Sequence, residues 1–302
     1  MPPDALTPAD VFNNCRGHFW GIIETRAYMR ARVALADSLI VQFGTVGGRA
    51  SAVQESVDHL IELVHLSRAD NLGVRDLIPG QLLRLQRDQD ALDFIRFWDS
   101  VRHDPHYDYD NLDQPHLHVQ GCDIFMPMSI RLAASYISLT HAVAIMLIKL
   151  RAYIDLVNVR NANKALQGKV PEEILDLVRE RLVSGIIKSR SQIIRSRDAE
   201  LKRLSLLMKK HVKQLYRASH EHNRHFWKIM FESPYEAMAN RPDKIIQGQL
   251  EEARYCVGSI FPSWAETPGS LATLKAIMPT LETTRADKLA LFKEVLATQM
   301  EL

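Results

Sequence analysis

The sequence predicts an all-α protein, a single domain over 1–302 built as an irregular stack of antiparallel helical hairpins, a degenerate α-solenoid. Three observations predict it. Apolar residues recur at three- and four-residue spacing in segment after segment. No segment reads convincingly as a strand. The stretch 71–105 reads as two amphipathic helices closed by a tight polar turn, which is the unit of a helical-repeat protein.

Taken in order, 1–48 is expected to form an N-terminal helix. Thr7-Pro8-Ala9-Asp10 supplies an N-cap, a proline for the first turn and an acid at the positive end of the helix dipole. Phe12, Cys15, Phe19, Ile22, Ile23, Met29, Val33, Leu39 and Ile40 carry the helix toward Phe43, with Gly17 and Gly21 weakening it or admitting a close neighbour. The break at 44–48 is glycine-rich but is no phosphate loop, because Arg49 stands where the second glycine of that loop belongs.

The hairpin region is 49–105. Val53, Val57, Leu60, Ile61 and Val64 form one stripe, with Ser51 and Gln54 spaced as a capping box. Leu77, Ile78, Leu82 and Leu85 form a second stripe, for which Asp76 is the expected cap and Pro79 falls harmlessly in the first turn. Ala91, Phe94, Ile95, Trp98 and Val101 form a third, ended by Asp104-Pro105. The turn 86–89 is so short that the last two helices must lie antiparallel.

A long loop, 106–126, follows. It is rich in aspartate and histidine, and its Tyr107, Tyr109, Leu117, Val119, Ile124 and Phe125 are expected to anchor it across the helices. The remainder, 127–302, reads as a bundle of long helices. Its first, 127–157, contains an uncharged run from Leu132 to Leu147. That run is shorter than the roughly 20 apolar residues a bilayer span needs, and it carries Ser135, Tyr136, Ser138, Thr140 and His141, so a buried central helix is expected. Pro171-Glu172-Glu173 opens another helix with Ile174, Leu175, Val178 and Leu182 inward. A long helix over 199–231 follows, with Leu201, Leu204, Met208, Leu215 and Phe226 on its seam. Then come a Pro/Gly-punctuated stretch to Gly269, a short helix with Leu271, Leu274 and Ile277, and a last helix after Thr284 capped by Asp287.

Composition narrows the function. With 46% hydrophobic and 25% charged residues the chain is ordinary for a globular protein. A net charge of +2 gives no global case for nucleic-acid binding. Cys15, Cys122 and Cys256 are too few and too scattered for a disulfide scaffold or a zinc finger. They suit a reducing compartment, and 1–10 lacks the basic and apolar parts of a signal peptide, so cytoplasm or nucleus is expected.

Two regions hold candidate contact residues. The loop offers His103, His106, His116 and His118 with Asp108, Asp110 and Asp113, the side-chain types that ligate zinc or iron. Their spacing matches no metal framework. Asp108–Asp113 lacks the turn glycine and terminal glutamate of a calcium loop, and Asp110-Asn111-Leu112-Asp113 lacks the paired aspartates of a terpene synthase. Turn-capping is the expected role of these groups. The second region, 179–217, is basic, with Lys188, Arg190, Arg195, Arg197, Lys202, Arg203, Lys209, Lys210 and Lys213 prominent in it. It offers a surface for an acidic partner or a polyanion, although the near absence of aromatic residues argues against single-stranded nucleic acid. His220-Glu221-His222-Asn223-Arg224 is no metalloprotease motif, because Arg224 occupies the second histidine position.

Ser67–Asp76, Leu82–Leu85, Arg87–Gln89, Pro105–Tyr109, Asp123–Phe125, Leu139–His141, Pro171–Leu175, Arg241-Pro242 and Trp264–Gly269 resemble segments of uncharacterised fungal tetratricopeptide-like helical proteins, some of which also carry a MYND-type zinc finger. The resemblance implies a tetratricopeptide-like fold from about residue 50 onward and no reaction. The cysteines here are too few to supply the finger. The function expected is therefore a non-catalytic protein-interaction scaffold with no cofactor and no metal, its protein partner unknown. Polyanion or nucleic-acid binding through 179–217 is the alternative, and a metal-dependent enzyme built on the loop histidines and aspartates is a third.

Overall fold

The computed structural model describes residues 8–126, 138–166, 171–242 and 244–278. The described chain is all-helical. Its α-helices are α1 Val11–Asn14, α2 Thr25–Gln42, α3 Ala50–Leu66, α4 Ile78–Arg84, α5 Asp88–Arg102, α6 Leu139–Ala165 and α7 Glu172–Glu180. They continue as α8 Gly185–Ser189, α9 Ser191–Ile194, α10 Asp198–His222, α11 Phe226–Glu232, α12 Pro234–Ala239, α13 Leu250–Ala265 and α14 Ser270–Ile277. No strand forms among these residues; Gly17 and His18 make only isolated bridges with Ser67.

Helix α6 is the axis of the molecule. From Leu139 to Ala152 every residue is buried, so this segment is apolar because it is surrounded by protein. Two neighbours fix its surroundings. Lys149 meets His211 at 3.0 Å and Arg160 meets Asp198 at 2.8 Å, so α10 runs antiparallel to α6. Thr140 reaches Cys256, and Arg151 reaches Thr267 just past the end of α13, so α13 runs parallel to it. The hairpin α4–α5 closes the remaining side. No helix among the described residues is long and apolar enough to cross a membrane.

A buried ionic knot ties hairpin to axis. The Arg151 guanidinium donates to Asp88 at 2.6 Å, to the Leu83 carbonyl at 3.0 Å and to Thr267, with Arg151 and Asp88 side chains both 0% exposed. The other Asp88 oxygen accepts the Gly185 N–H at 3.1 Å, and Asp155 accepts the N–H groups of Val183 and Ser184. Removing one partner of such a pair strands the other charge, at a cost of about 3–5 kcal/mol.

Several expectations need correction. The N-terminal region is not one helix. Gly17 takes a φ of 101°, and its N–H and C=O pair with Leu66 and Arg68, so α1 stops and α2 starts only at Thr25. Asp76 does not cap α4; it lies in a 3₁₀ turn and accepts a 2.6 Å bond from the Ser138 hydroxyl. Ser51 and Gln54 form no capping box, because Arg49 is the N-cap and Gln54 binds Asp58. The expected 199–231 helix divides into α10 and α11 at Asn223, whose side chain caps His225 and binds the Gln249 carbonyl and Glu252. The Pro/Gly-punctuated stretch contains α12 and the 16-residue α13. Pro262 is tolerated near the end of α13, and Gly258 lies where an added Cβ would stand 3.0 Å from the Ala237 carbonyl of α12. On α7, Ile174 is exposed and only Leu182, beyond its end, is fully buried. The expected start of the central helix at 127–137 and the last helix after Thr284 lie outside the described residues.

Candidate functional site

The loop that follows α5 is held from below by three charged groups. Arg68 donates to the carbonyls of Asn111 and Gln114 at 2.6 and 2.8 Å. Asp93 of α5 accepts the N–H groups of Gly121 and Cys122, both at 2.8 Å. Lys149 of α6 donates to the carbonyls of Ile124 and Met126 at 2.7 and 3.2 Å. Arg68, Asp93 and Lys149 are all buried, and each satisfies backbone groups that a long loop otherwise leaves unpaired. Tyr107 and Tyr109 pack edge to face, 5.0 Å apart, against Phe97 and Trp98 of α5.

With the loop fixed in this way, its histidines and aspartates are dispersed. The His103 ring meets the Asp99 carbonyl at 2.7 Å. Asp108 accepts the Asp110 N–H, Asp113 donates its N–H to Asn111, and His106 donates its N–H to Asp104. Asp110 lies 3.4 Å from His18. His116 and His118 set their rings edge-on to Phe97 at 5.1 and 5.8 Å. Burial, then the charge of Arg68 and the neighbouring His65, pull His116 down to about 4, so it is neutral at pH 7. Among the described residues no three His, Cys, Asp or Glu side chains are grouped to hold a metal ion.

The basic region is also partly committed. Arg203 pairs with Glu200 at 2.7 Å, and Arg190 reaches Asp123 at 3.2 Å and lies over the Phe125 ring. Lys188, Arg195, Arg197 and Lys202 are exposed. Lys209, Lys210 and Lys213 are half-buried along the outer side of α10, beside the exposed Leu206. His222 is drawn out of any metal role by Glu252, 2.9 Å away.

Two concavities stand out among the described residues, and neither was singled out by the sequence. The larger, about 520 Å³, is a groove between α2 on one side and α12 and α13 on the other. Ile40, Val41, Leu60, Leu77, Met238 and Pro262 make it apolar. One polar clasp crosses it: Arg241 pairs with Asp37 of α2 and lies 4.9 Å over the Tyr255 ring. Burial pushes the Tyr255 phenol up to about 12, so it remains a neutral hydroxyl at any working pH. At the rim, Val41 of α2 and Tyr235 of α12 are 65% and 64% exposed. The second concavity, about 300 Å³, lies beside the loop and is lined by residues of α5, the 69–75 turn and the start of α6.

Sequence reasoning missed the groove because its walls come from helices more than 190 residues apart, two of which, α12 and α13, were not anticipated. Val41 gave no distinctive signal, because Tyr28 and Leu35 of the same helix are exposed as well. Comparison with known proteins found no matching family model, no matching curated protein and no matching solved structure.

Proposed function

We propose that this protein is a non-catalytic interaction scaffold of degenerate, tetratricopeptide-like type, whose groove between α2, α12 and α13 receives an apolar segment of a partner protein. The observation that carries the reading is the pair of rim residues. Val41 and Tyr235, each about two-thirds exposed, stand on opposite walls of an apolar groove, and apolar grooves are a recurrent docking site for apolar segments of partners. The hairpin architecture supports the tetratricopeptide-like part. Helices α2 and α3 pair over a connection of seven residues, with Ser56 bonded to the Ala36 carbonyl midway along both, and α4 and α5 pair over the 85–87 turn. The groove is preferred to the loop as the contact surface because its walls are apolar, while several loop groups are engaged locally: Asp108 accepts the Asp110 N–H and Asp104 that of His106.

Peptides selected from a displayed random library against the intact chain test this directly. Affinity is then measured for the wild type and for Val41→Asp combined with Tyr235→Ser. Removing both apolar contacts and placing a charge at the rim is expected to weaken binding at least tenfold, about 1.4 kcal/mol. Peptides that bind both forms equally, or that are lost only on changing His106 and His118, contradict the reading.

A second reading, polyanion binding through α10, is favoured by one observation. Lys202, Lys209 and Lys213 lie on one side of α10 and form no ion pair among the described residues. Heparin affinity that falls steeply with salt and disappears on changing all three to glutamate is the outcome it requires. Retention that is weak and unaffected by those changes removes it.

A further inference from the structure

The smaller concavity is unlike the groove, because its wall is aromatic and its polar groups are mostly donors. Trp98 and Ile95 of α5 form one side. The Arg75 guanidinium lies 4.8 Å over the Trp98 ring, and Tyr109 from the loop stacks near-parallel to that ring, 22° off, at 6.3 Å. Arg102 enters one turn after Trp98 on the same helix.

Most acceptors around this cavity are already engaged. Asp70 accepts the backbone N–H groups of Val74 and Arg75 at 2.9 and 3.0 Å, leaving its nearest contact with the Arg75 guanidinium at 3.7 Å. Asp76 accepts the Ser138 hydroxyl at 2.6 Å, and His141 holds the Arg75 carbonyl at 3.1 Å. Asp99 lies beside His103, 3.7 Å away. The donors are not matched in the same way. Among the described residues Arg102 forms no ion pair and the Tyr109 hydroxyl makes no hydrogen bond. Two guanidinium groups and a phenol therefore surround a small cavity with an indole wall. Guanidinium forks match carboxylates in plane and in bond direction, and an aromatic body gains from stacking on indole and phenol rings.

We propose that this cavity is a binding site for a small aromatic carboxylate, its carboxylate held between Arg75 and Arg102 and its ring set against Trp98 and Tyr109. A volume of about 300 Å³ is at the small end of ligand pockets and suits a one- or two-ring acid. The loop then has a role that its histidines and aspartates do not give it: its tethers to Arg68, Asp93 and Lys149 fix Tyr109 as one wall. The proposal is independent of the groove and of any partner bound there.

The test titrates the intact, ¹⁵N-labelled chain with benzoate, phenylacetate and indole-3-acetate, and in parallel with the corresponding amides. The readout is the indole N–H resonance of Trp98, assigned through Trp98→Phe. At least one acid is expected to shift that resonance to saturation, and its amide to bind at least tenfold more weakly. Arg102→Gln, an exposed change that leaves the core alone, should weaken the acid at least tenfold without altering the amide, and Arg102→Lys should restore part of the loss. The proposal is overturned if no acid moves the Trp98 signal, if amides bind as well as acids, or if Arg102→Gln leaves the acid unaffected. It is also overturned if inorganic phosphate alone produces the whole shift, because the site then reads charge and not the ring.

Discussion

Lys149 lies inside the molecule without a carboxylate against it, and its surroundings show how single residues set the behaviour of this fold. Burial, reinforced by the charge of Arg96, draws the ammonium down to about 7. Burial and then Lys149 itself push His211 down to about 3. His211 is thus neutral at pH 7, and its Nδ1 can accept from Lys149. An unfolded histidine titrates near 6.5, so on acidification the unfolded chain takes up this proton first. The stability that neutral His211 contributes is fully present above about pH 6.5 and drains as pH falls toward 3, at about 1.4 kcal/mol per pH unit. Asp155 and Asp70, raised by burial to about 7 and about 6, act with the opposite sign below neutrality. The wild-type curve therefore mixes the two. His211→Gln isolates the histidine, since glutamine keeps an acceptor for Lys149 and does not titrate. In urea unfolding, the advantage of the wild type over His211→Gln should shrink by about 2–3 kcal/mol between pH 6.5 and 4.5. Parallel pH dependences of the two proteins would show that His211 titrates normally in the fold.

Among the elements, the loop and helix α13 best show what periodicity conveys. The stripes of α3, α5 and α10 were legible because each helix is half-buried, so its apolar side repeats in the sequence. Leu201, Leu204, Met208 and Leu215 are all buried where that repeat places them. Helix α13 was obscured by Gly258 and Pro262, residues that usually mark turns. Here they serve close packing and the last helical turn. The loop's anchoring aromatics were legible as well, but its tethers were not. Asp93, Arg68 and Lys149 are separated in sequence from the carbonyls and N–H groups they bind, and nothing local distinguishes them from surface charges. Asp93→Ala should therefore free the backbone at Gly121 and Cys122 while leaving α5 intact and Ile124 and Met126 still held by Lys149. Hydrogen exchange of Gly121 and Cys122 is expected to accelerate by at least tenfold, with the amides of α5 unchanged. If Gly121 and Cys122 stay protected, the Asp93 carboxylate is not what holds this end of the loop.

At the scale of the whole molecule, helix pairs wrap an axis. Helix α6 is enclosed by α10, α13 and the α4–α5 hairpin, and the Arg151–Asp88 pair joins axis to hairpin in the interior. The all-helical class and a buried central helix followed from the sequence. The groove did not, because it arises where α2 and α12–α13 approach each other and leave apolar side chains on two facing walls. On the proposed function, this groove, and not the Asp/His loop, receives the partner. Site-specific photocrosslinking measures it most directly: a benzoylphenylalanine is placed at Val41 in one protein and at His106 in another, and each is irradiated with a library-selected peptide that binds the intact chain. A partner seated in the groove gives a peptide adduct from position 41, lost on competition with unlabelled peptide, and none from position 106. An adduct from position 106 with none from position 41 would contradict it.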